Sequence, residues 1–140
     1  MGMQWVHERA PKWDEAKDTI VGGADEGIFH LDNYRVGDVI PGEWWHVEDA
    51  GKVVGFGWMD ATWGDAEILL AVDPAARRRG VGRFILEQLE HEAAERGLNY
   101  LYNVVSPRHP DRDGVSAWLR ARGFEPAHDD ESLRRRVRSE

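Results

Sequence analysis

The residues best suited to chemistry lie in the stretch 66–89, where a short apolar run, a glycine-containing turn and an amphipathic helix follow one another. Asp73 and Pro74 end the apolar run, because the residue before a proline is pushed out of helical space and proline cannot continue a strand ladder. The turn then carries Gly80 and Gly82. Glycines at the start of a helix let the backbone approach a ligand closely, and the free N–H groups there point at anions. This order therefore predicts an anion site at the turn.

Arginines surround the same turn, although the chain as a whole is acidic. They are Arg77, Arg78, Arg79 and Arg83, in a protein of formal net charge −8. A local positive cluster in an acidic protein indicates a selective anion site. The alternative is a solvated, arginine-rich start of a helix, although the helix dipole does not favour cations at that end.

The turn and its surroundings resemble a known family. A Val-Asp-Pro ending at Pro74, followed by Arg77-x-x-Gly80-x-Gly82, resembles the acyl-CoA pyrophosphate loop of the GNAT acetyltransferase superfamily. The motif is not a Rossmann fingerprint, which needs a further glycine and a ribose-binding acid. It is not a P-loop either, since no Gly-Lys-Ser/Thr is present.

The resemblance implies transfer of an acetyl group from acetyl-CoA directly to a primary amine, without a covalent enzyme intermediate. It implies that the backbone of Leu70, Ala71 and Val72 binds the pantetheine arm. It further implies that the loop binds the pyrophosphate through Arg77, Arg78, Arg79, Gly80, Val81, Gly82 and Arg83. Acetyl-CoA would be a co-substrate, and no metal is expected. The alternatives are a non-catalytic acyl-CoA-binding or sensing domain and, more weakly, a structural partner domain of a larger complex.

Glu67 is the candidate catalytic base. An amine is protonated at neutral pH and must lose a proton before it attacks a thioester, and a positioned base raises such rates by about 10²- to 10⁴-fold. In family members that use a glutamate base, that residue lies on the strand leading to the pyrophosphate loop, and Ala66-Glu67-Ile68 resembles this pattern. The alternative is an exposed acid at the start of a strand, with Asp60 or Glu43 as the next candidate base.

The family's usual general acid is missing from this chain. The family often has a tyrosine four residues before the closing Gly-Phe, where it protonates the departing sulfur of CoA, and Leu119 stands at that position. Leucine has no proton to donate, so water, Ser106 and Tyr102 remain as candidates. An asparagine common near the start of that helix is also missing, and Arg112 stands close by.

Composition sets further limits on the class of protein. The chain has 140 residues, 41% hydrophobic and 31% charged, which favours one domain over residues 1–140. Cysteine is absent, which excludes disulfides, thiol catalysis and thiolate metal sites. Without a membrane-length apolar run or a signal peptide, we expect a cytoplasmic protein. Its expected assembly is a monomer or a homodimer. The net charge of −8 argues against a nucleic-acid partner, and no membrane partner is expected.

The predicted elements follow the order of the GNAT fold. We expect an α/β (α+β) single domain with a mixed central sheet of about six to seven strands and about four flanking helices. Strands are predicted over 4–9, 43–49, 52–63, 68–72, 99–105, 124–128 and 132–138, and helices over 12–21, 25–31, 81–96 and 115–122. In the third strand Val54, Phe56 and Trp58 are predicted to share one face, while Gly55 and Gly57 leave the other open.

The acceptor is predicted to be a small, positively charged amine, such as a polyamine, an amino sugar or a lysine-like side chain. Acids cluster where the family's acceptor loops are expected, and would attract a cation. They are Asp25, Glu26, Asp129, Asp130 and Glu131. The alternative is that these acids only solvate loops.

Other notable residues are interpreted as structural. Trp44 and Trp45 are adjacent on a strand and must face opposite sides, so one is expected in the core and the other is a candidate for the acceptor site. Glu87 and His91 lie four apart on a helix and are interpreted as a solvated surface rather than a metal pair. The last strand carries arginines that would protect an edge of the sheet from pairing with another chain: Arg134, Arg135, Arg136 and Arg138.

Overall fold

Strands and helices are interspersed along the part of the chain that the computed structural model describes, namely residues 2–20, 37–39, 42–76, 80–104, 112–126 and 132–137. The strands are β1 (Gln4–Glu8), β2 (Glu43–Asp49), β3 (Lys52–Thr62), β4 (Asp65–Val72), β5 (Tyr100–Val104), β6 (Glu125–Pro126) and β7 (Ser132–Arg136). The α-helices in these ranges are α1 (Glu15–Ile20), α2 (Val81–Glu95) and α3 (Arg112–Arg120), and a short 3₁₀ turn covers Pro74–Ala76.

One mixed sheet joins these strands in the order β1-β2-β3-β4-β5-β7-β6. Neighbouring strands are antiparallel except β4 and β5, which run parallel and are connected through α2. A parallel pair needs such a crossover connection. The predicted α/β class and strand number are therefore confirmed. Of the four predicted helices, the one over 25–31 lies outside the described residues.

The two parallel strands, β4 and β5, separate after a short stretch of pairing. β4 and β5 pair only from Asp65 with Tyr100 to Glu67 with Tyr102, whereas β4 continues to Val72. β5 stays paired with β7 along its whole length. At the point of separation Asn103 Nδ2 donates a hydrogen bond to the carbonyl oxygen of Ile68, at 2.8 Å. We call the resulting gap the β4–β5 fork.

Each face of the sheet carries its own apolar cluster. On the first, which we call the α2 face, the buried side of α2 packs on the sheet. The four apolar positions predicted for the long helix are all buried there: Val81, Ile85, Leu89 and Ala93. The second, the α1 face, is covered by a smaller cluster of Trp13, Ile20, Trp44, Phe56 and Ala71. The helical spacing in the sequence therefore identified the core-facing side of α2 correctly.

The adjacent tryptophans of β2 divide between the two faces, as predicted. Trp44 belongs to the α1-face cluster and Trp45 to the α2-face cluster, and each side chain is only 1% exposed. Trp45 is further covered by the indole of Trp5, stacked at 5.5 Å between ring centroids. Since both are core residues, the prediction that one of them lines the acceptor site is wrong.

The face assignment predicted for β3 is wrong at Val54. Val47 pairs with Gly55 but Glu48 pairs with Val53, so Val54 is an extra residue at a β-bulge. A bulge disturbs the alternation of side chains. Val54 consequently packs in the α2-face cluster, whereas Phe56 packs in the α1-face cluster.

The glycines of β3 are close packing positions rather than an open surface. A Cβ atom on Gly57 would lie 2.7 Å from Trp5 Cη2 and 3.0 Å from Ile85 Cγ2. A Cβ atom on Gly55 would lie 2.9 Å from the carbonyl oxygen of Ala71 and 3.0 Å from Val81 Cγ1. The absence of side chains here lets α2 and the Trp5 ring lie directly on the sheet.

We expect Gly57→Ala to destabilise the protein by about 1–3 kcal/mol, the usual cost of inserting a methyl group into a well-packed core. Urea unfolding followed by tryptophan fluorescence measures this change. The matched control is Gly2→Ala, where the added methyl group meets nothing within 4 Å. Equal stability of the two variants would contradict the packing role of Gly57.

α1 is shorter than predicted and is fixed by a buried lysine. The helix begins at Glu15 because Asp14 Oδ1 accepts a hydrogen bond from the backbone N–H of Lys17, at 2.8 Å, and so caps the first turn. Lys17 is fully buried, and its Nζ donates to Glu8 Oε1, Asp14 Oδ2 and the carbonyl oxygen of Lys12. A buried ammonium is tolerated when all its protons are bonded in this way.

The last strand is not an edge of the sheet. β7 lies between β5 and β6, and β6 pairs with Leu133 and Arg134, so Arg134 does not protect an open edge and the prediction is wrong for this residue. Arg135 instead points to the α2 face, where it bonds Glu90 and the carbonyl oxygen of Arg122. Arg138 lies outside the described residues. None of the described helices is both long and apolar enough to cross a membrane.

Candidate active site

Glu67 lies where β4 and β5 separate. Ala66 and Ile68 on either side of it are fully buried on the α2 face. Because successive side chains of a strand alternate, Glu67 points to the α1 face. Its side chain is partly buried. The predicted catalytic base is therefore placed at the closed end of the β4–β5 fork.

Polar side chains lie in register with Glu67 on the neighbouring strands. Asp60 of β3 is its partner on one side and Tyr102 of β5 on the other, and Arg134 of β7 is the partner of Tyr102. Residues paired across strands point to the same face of a sheet. We call these four residues, Asp60, Glu67, Tyr102 and Arg134, the polar row.

The phenol of Tyr102 is held in its protonated form. Burial raises its pKa, and the negative charges of Glu67, Asp60 and Asp65 raise it further. A raised pKa means that the hydroxyl keeps its proton to higher pH than a free tyrosine does. Tyr102 is thus a proton donor placed directly beside the candidate base.

Of the remaining described candidates for the general acid and the general base, only one lies beside Glu67. Leu119 is 2% exposed in the α2-face core, and Ser106 lies outside the described residues, as does the side chain of Arg112. Glu43 is engaged by both terminal nitrogens of Arg96, at the C-terminal end of α2. Since Glu43 pairs with Met59 of the α2-face core, it lies on the other face from Glu67. Of the two reserve bases, only Asp60 lies beside Glu67.

The end of β4 presents backbone groups to the fork. Leu70, Ala71 and Val72 pair with β3 on one side. On the other side, no strand among the described residues continues the ladder beyond Glu67. Backbone N–H and C=O groups left at such an edge can bind an extended ligand as a strand would. The three residues predicted to bind the pantetheine arm are thus in the open part of the fork.

The N-terminus of α2 fits an anion. Gly80 precedes the helix with φ of 81°, a left-handed conformation that favours glycine, and no side chain caps the helix. Among the described residues, none lies within 4 Å of the position of a Cβ atom on Gly80, so none of them fills the space in front of the first turn. The free N–H groups and the helix dipole there favour a negative group.

The arginines of the loop are only partly described. Arg77, Arg78 and Arg79 lie outside the described residues. Arg83 is in the first turn of α2, where its Nε lies 3.1 Å from Glu87 Oε1 on the exposed side of the helix. The role of these arginines in binding the pyrophosphate therefore stays a prediction.

Two features of the site were missed at the level of sequence. Trp118 lies beside the N-terminus of α2, where its Cζ2 would be 3.5 Å from a Cβ atom on Gly82, and the guanidinium of Arg122 covers its ring at 3.9 Å. Arg134 was interpreted only as a strand-edge charge. The position of Trp118 could have been inferred from the sequence, because Trp118 and Leu119 are neighbours on one predicted helix. The position of Arg134 follows only from the pairing of the strands.

The possible metal pair on α2 is engaged in ordinary surface contacts. Glu87 pairs with Arg83, and His91 Nε2 lies 3.1 Å from Glu95 Oε1. Within the described ranges no three histidine or carboxylate side chains are grouped so as to hold a metal ion.

Comparison with known proteins identifies the family. The family model described as the acetyltransferase (GNAT) family matches residues 5–124, which is most of the chain. The chain therefore belongs to the GNAT acetyltransferase family. A search of curated proteins gave no significant match.

Solved structures of N-acetyltransferases share the fold. The N-acetylglutamate synthase from Neisseria gonorrhoeae, solved with coenzyme A and N-acetyl-glutamate, is 20% identical with a TM-score of 0.74, over 99% of this chain and 36% of that one. Ard1 from Thermoplasma volcanium is 25% identical with a TM-score of 0.58, over 69% and 71% of the chains. The ribosomal-protein-S18-alanine N-acetyltransferase from Escherichia coli is 20% identical with a TM-score of 0.56, over 96% and 82%.

Proposed function

We propose that this acetyltransferase moves an acetyl group from acetyl-CoA to a small primary amine that carries a positive charge before it reacts, with Glu67 as the general base. The observation that carries the proposal is the position of Glu67 at the closed end of the β4–β5 fork, beside Asp60 and Tyr102. We further propose that the enzyme acts in the cytoplasm.

The reaction needs three proton movements around one bond exchange. Glu67 takes a proton from the ammonium of the acceptor, and the freed nitrogen attacks the carbonyl carbon of the thioester. A new C–N bond forms as the C–S bond breaks, and the departing sulfur takes a proton from Tyr102 or from water. The nitrogen, which has become positive on bonding to the carbonyl carbon, returns its second proton to the phenolate of Tyr102 or to water, and the products are the amide and the free thiol of CoA. Direct attack agrees with the absence of cysteine from the chain, which excludes a thiol as an intermediate acyl carrier.

Tyr102 is the side chain we assign to the acid step. It is paired with Glu67 across β4 and β5, and its raised pKa keeps the phenol protonated. This assignment explains how the chain can work with Leu119 in the core at the position where the family often has a tyrosine.

The acetyl-CoA would lie along the open side of β4. Its pantetheine amides would bond the backbone of Leu70, Ala71 and Val72, and its pyrophosphate would meet the first N–H groups of α2 at Gly80, Val81 and Gly82. Two features of the start of α2 support this arrangement: it has no side-chain cap, and no described residue lies within 4 Å of a Cβ atom on Gly80. The charges of Arg77, Arg78, Arg79 and Arg83 would add to the attraction, since charge-assisted bonds to phosphate are the strong ones.

Negative charge around Glu67 supports a cationic acceptor. Asp60 and Asp65 lie on the same face and act on Tyr102 together with Glu67. Three carboxylates on one surface attract an ammonium group and favour its binding over that of a neutral or anionic molecule. The acids at 25–26 and 129–131, which lie outside the described residues, would extend the same field.

We expect acetyl transfer to a panel of small amines, detected by mass spectrometry, to be fastest for acceptors that carry an ammonium group. The kcat/KM for the preferred amine should fall as salt is added, because exposed charges are screened over about 8 Å at physiological ionic strength. The double variant Asp129→Asn/Asp130→Asn should reproduce that fall at low salt. A preferred acceptor that carries no ammonium group at the assay pH, with a rate indifferent to salt, would contradict the proposed substrate charge.

A non-catalytic acyl-CoA-binding domain is the competing proposal, favoured by the apolar residue at position 119. Such a protein would be stabilised against heat by CoA, because a ligand that binds only the folded state raises its stability. It would release no free CoA thiol with any amine of the panel. Thermal stabilisation by CoA together with the assay of thiol release therefore distinguishes an acetyltransferase from a non-catalytic CoA-binding domain.

A further inference from the structure

We infer that Arg134 binds a carboxylate on the acceptor, so that the substrate is an amino acid whose ammonium lies at Glu67 and whose carboxylate lies at Arg134. The inference rests on the proposed function and narrows its acceptor to one chemical class. It follows from the polar row, which brings carboxylates and a guanidinium to the same face of the sheet.

The direction of the Arg134 side chain is fixed by its neighbours. Leu133 and Arg135 both point to the α2 face, where Leu133 packs in the core and Arg135 bonds Glu90. By the alternation of a strand, Arg134 points to the α1 face. Its guanidinium lies over the ring of Tyr100, 4.6 Å from the ring centroid. Arg134 and Glu67 thus share one surface, on which α1 covers β2, β3 and β4 with the cluster around Trp44 and Phe56.

The guanidinium of Arg134 has no carboxylate partner within 4.0 Å among the described residues, unlike Arg83, Arg96 and Arg135. Glu125 of β6 is its partner in register, yet the two side chains form no ion pair. The ring of Tyr100 lies against the guanidinium, which has five N–H donors to offer a ligand. Arginine binds a carboxylate through two parallel hydrogen bonds, a geometry that lysine cannot reproduce.

The distance between Glu67 and Arg134 suits one small molecule that contacts both side chains. Glu67 and Arg134 are separated by two strand intervals of about 4.8 Å, so their backbones lie about 10 Å apart with Tyr102 between them. Both side chains are long enough to reach inward from that distance. An amino acid lying over Tyr102 would place its ammonium against Glu67 and Asp60 and its carboxylate against Arg134. A diamine would find carboxylates at one end and a repelling guanidinium at the other.

The test compares each amino acid with the amine that lacks its carboxylate. L-Lysine is paired with cadaverine and L-alanine with ethylamine, and kcat and KM are measured for the parent and for Arg134→Gln. We expect Arg134→Gln to raise KM for the amino acids by about 10- to 100-fold, the usual effect of losing hydrogen bonds to a charged group. The constants for cadaverine and ethylamine should change little. For each acceptor, the constant of Arg134→Gln is divided by that of the parent. The pKa of the acceptor's amine affects both constants equally, so the difference in pKa between an amino acid and its matched amine cancels.

Two further variants separate binding from folding. Arg134→Lys keeps the charge but not the paired geometry and should restore part of the lost affinity. Arg120→Gln removes an exposed arginine of α3 and should change none of the constants. Equal loss for amines and amino acids in Arg134→Gln, or a parent that prefers cadaverine to L-lysine, would overturn the inference while leaving acetyl transfer to amines intact. A parent that acetylates neither kind of acceptor would overturn the proposed function itself.

Discussion

Glu67→Gln is expected to lower kcat by about 10²-fold or more at neutral pH, because an amide cannot take the proton of the acceptor's ammonium. Binding of acetyl-CoA should be nearly unchanged, since Glu67 points to the α1 face while the proposed contacts of the cofactor are the backbone of 70–72 and the N-terminus of α2. Steady-state rates of thiol release, measured with the best amine of the panel, give the loss.

The pH dependence distinguishes a base from a structural residue. The deficit of Glu67→Gln should shrink at high pH, where the amine loses its proton unaided. The matched control is Glu95→Gln, which removes an exposed carboxylate at the far end of α2. If Glu67→Gln kept the parent rate at every pH, Glu67 would be structural, and Asp60 would be the next side chain to test.

Gly82→Val is expected to abolish CoA binding while the protein stays folded. A Cβ atom at this position would lie at ordinary contact distance, 3.5 Å from Trp118 Cζ2 and 3.8 Å from Val72 Cγ2, so the fold has room for the first atom of a side chain. The two methyl groups beyond it would occupy the space in which a pyrophosphate must reach the first N–H groups of α2.

Thermal unfolding with and without CoA measures this effect. At a ligand concentration of about 100 times its Kd, the parent should gain about 2.7 kcal/mol of stability, and Gly82→Val should gain none. His91→Val, which places the same side chain on the exposed surface of α2, controls for the cost of valine in a helix and should respond to CoA as the parent does. Unchanged CoA affinity in folded Gly82→Val would show that the loop does not bind the pyrophosphate.

The local patterns in the sequence were sufficient to predict α2 and the β2–β3 hairpin. The spacing of Val81, Ile85, Leu89 and Ala93 predicted both α2 and its buried side, because a helix must bury one face. The β2–β3 hairpin was predicted from its alternation and its short turn, and both strands are found at nearly the predicted bounds. These features depend on residues close together in the chain.

The features that depend on how the strands pair could not be predicted from the sequence. The bulge at Val54 reverses the expected face of that residue, and no local signal in β3 marks it. The position of Arg134 follows from the pairing of β7 with β5, in which Arg134 and its partner Tyr102 are 32 residues apart, so the two could not be placed together from the sequence. Glu67 was predicted through the loop motif that follows it, whereas its partners on β3 and β5 appear only when the sheet is assembled.

The β4–β5 fork also bears on aggregation through strand addition. An unpaired strand edge normally invites another chain to add to the sheet, and proteins shorten, charge or cover such edges. Here the open edge is internal, and it narrows to a paired ladder at Glu67 and Tyr102. A further strand would need about 4.8 Å on each side of it, which the closed end does not provide. The fold can therefore keep backbone groups available to a thin extended ligand without offering a full-length template for aggregation.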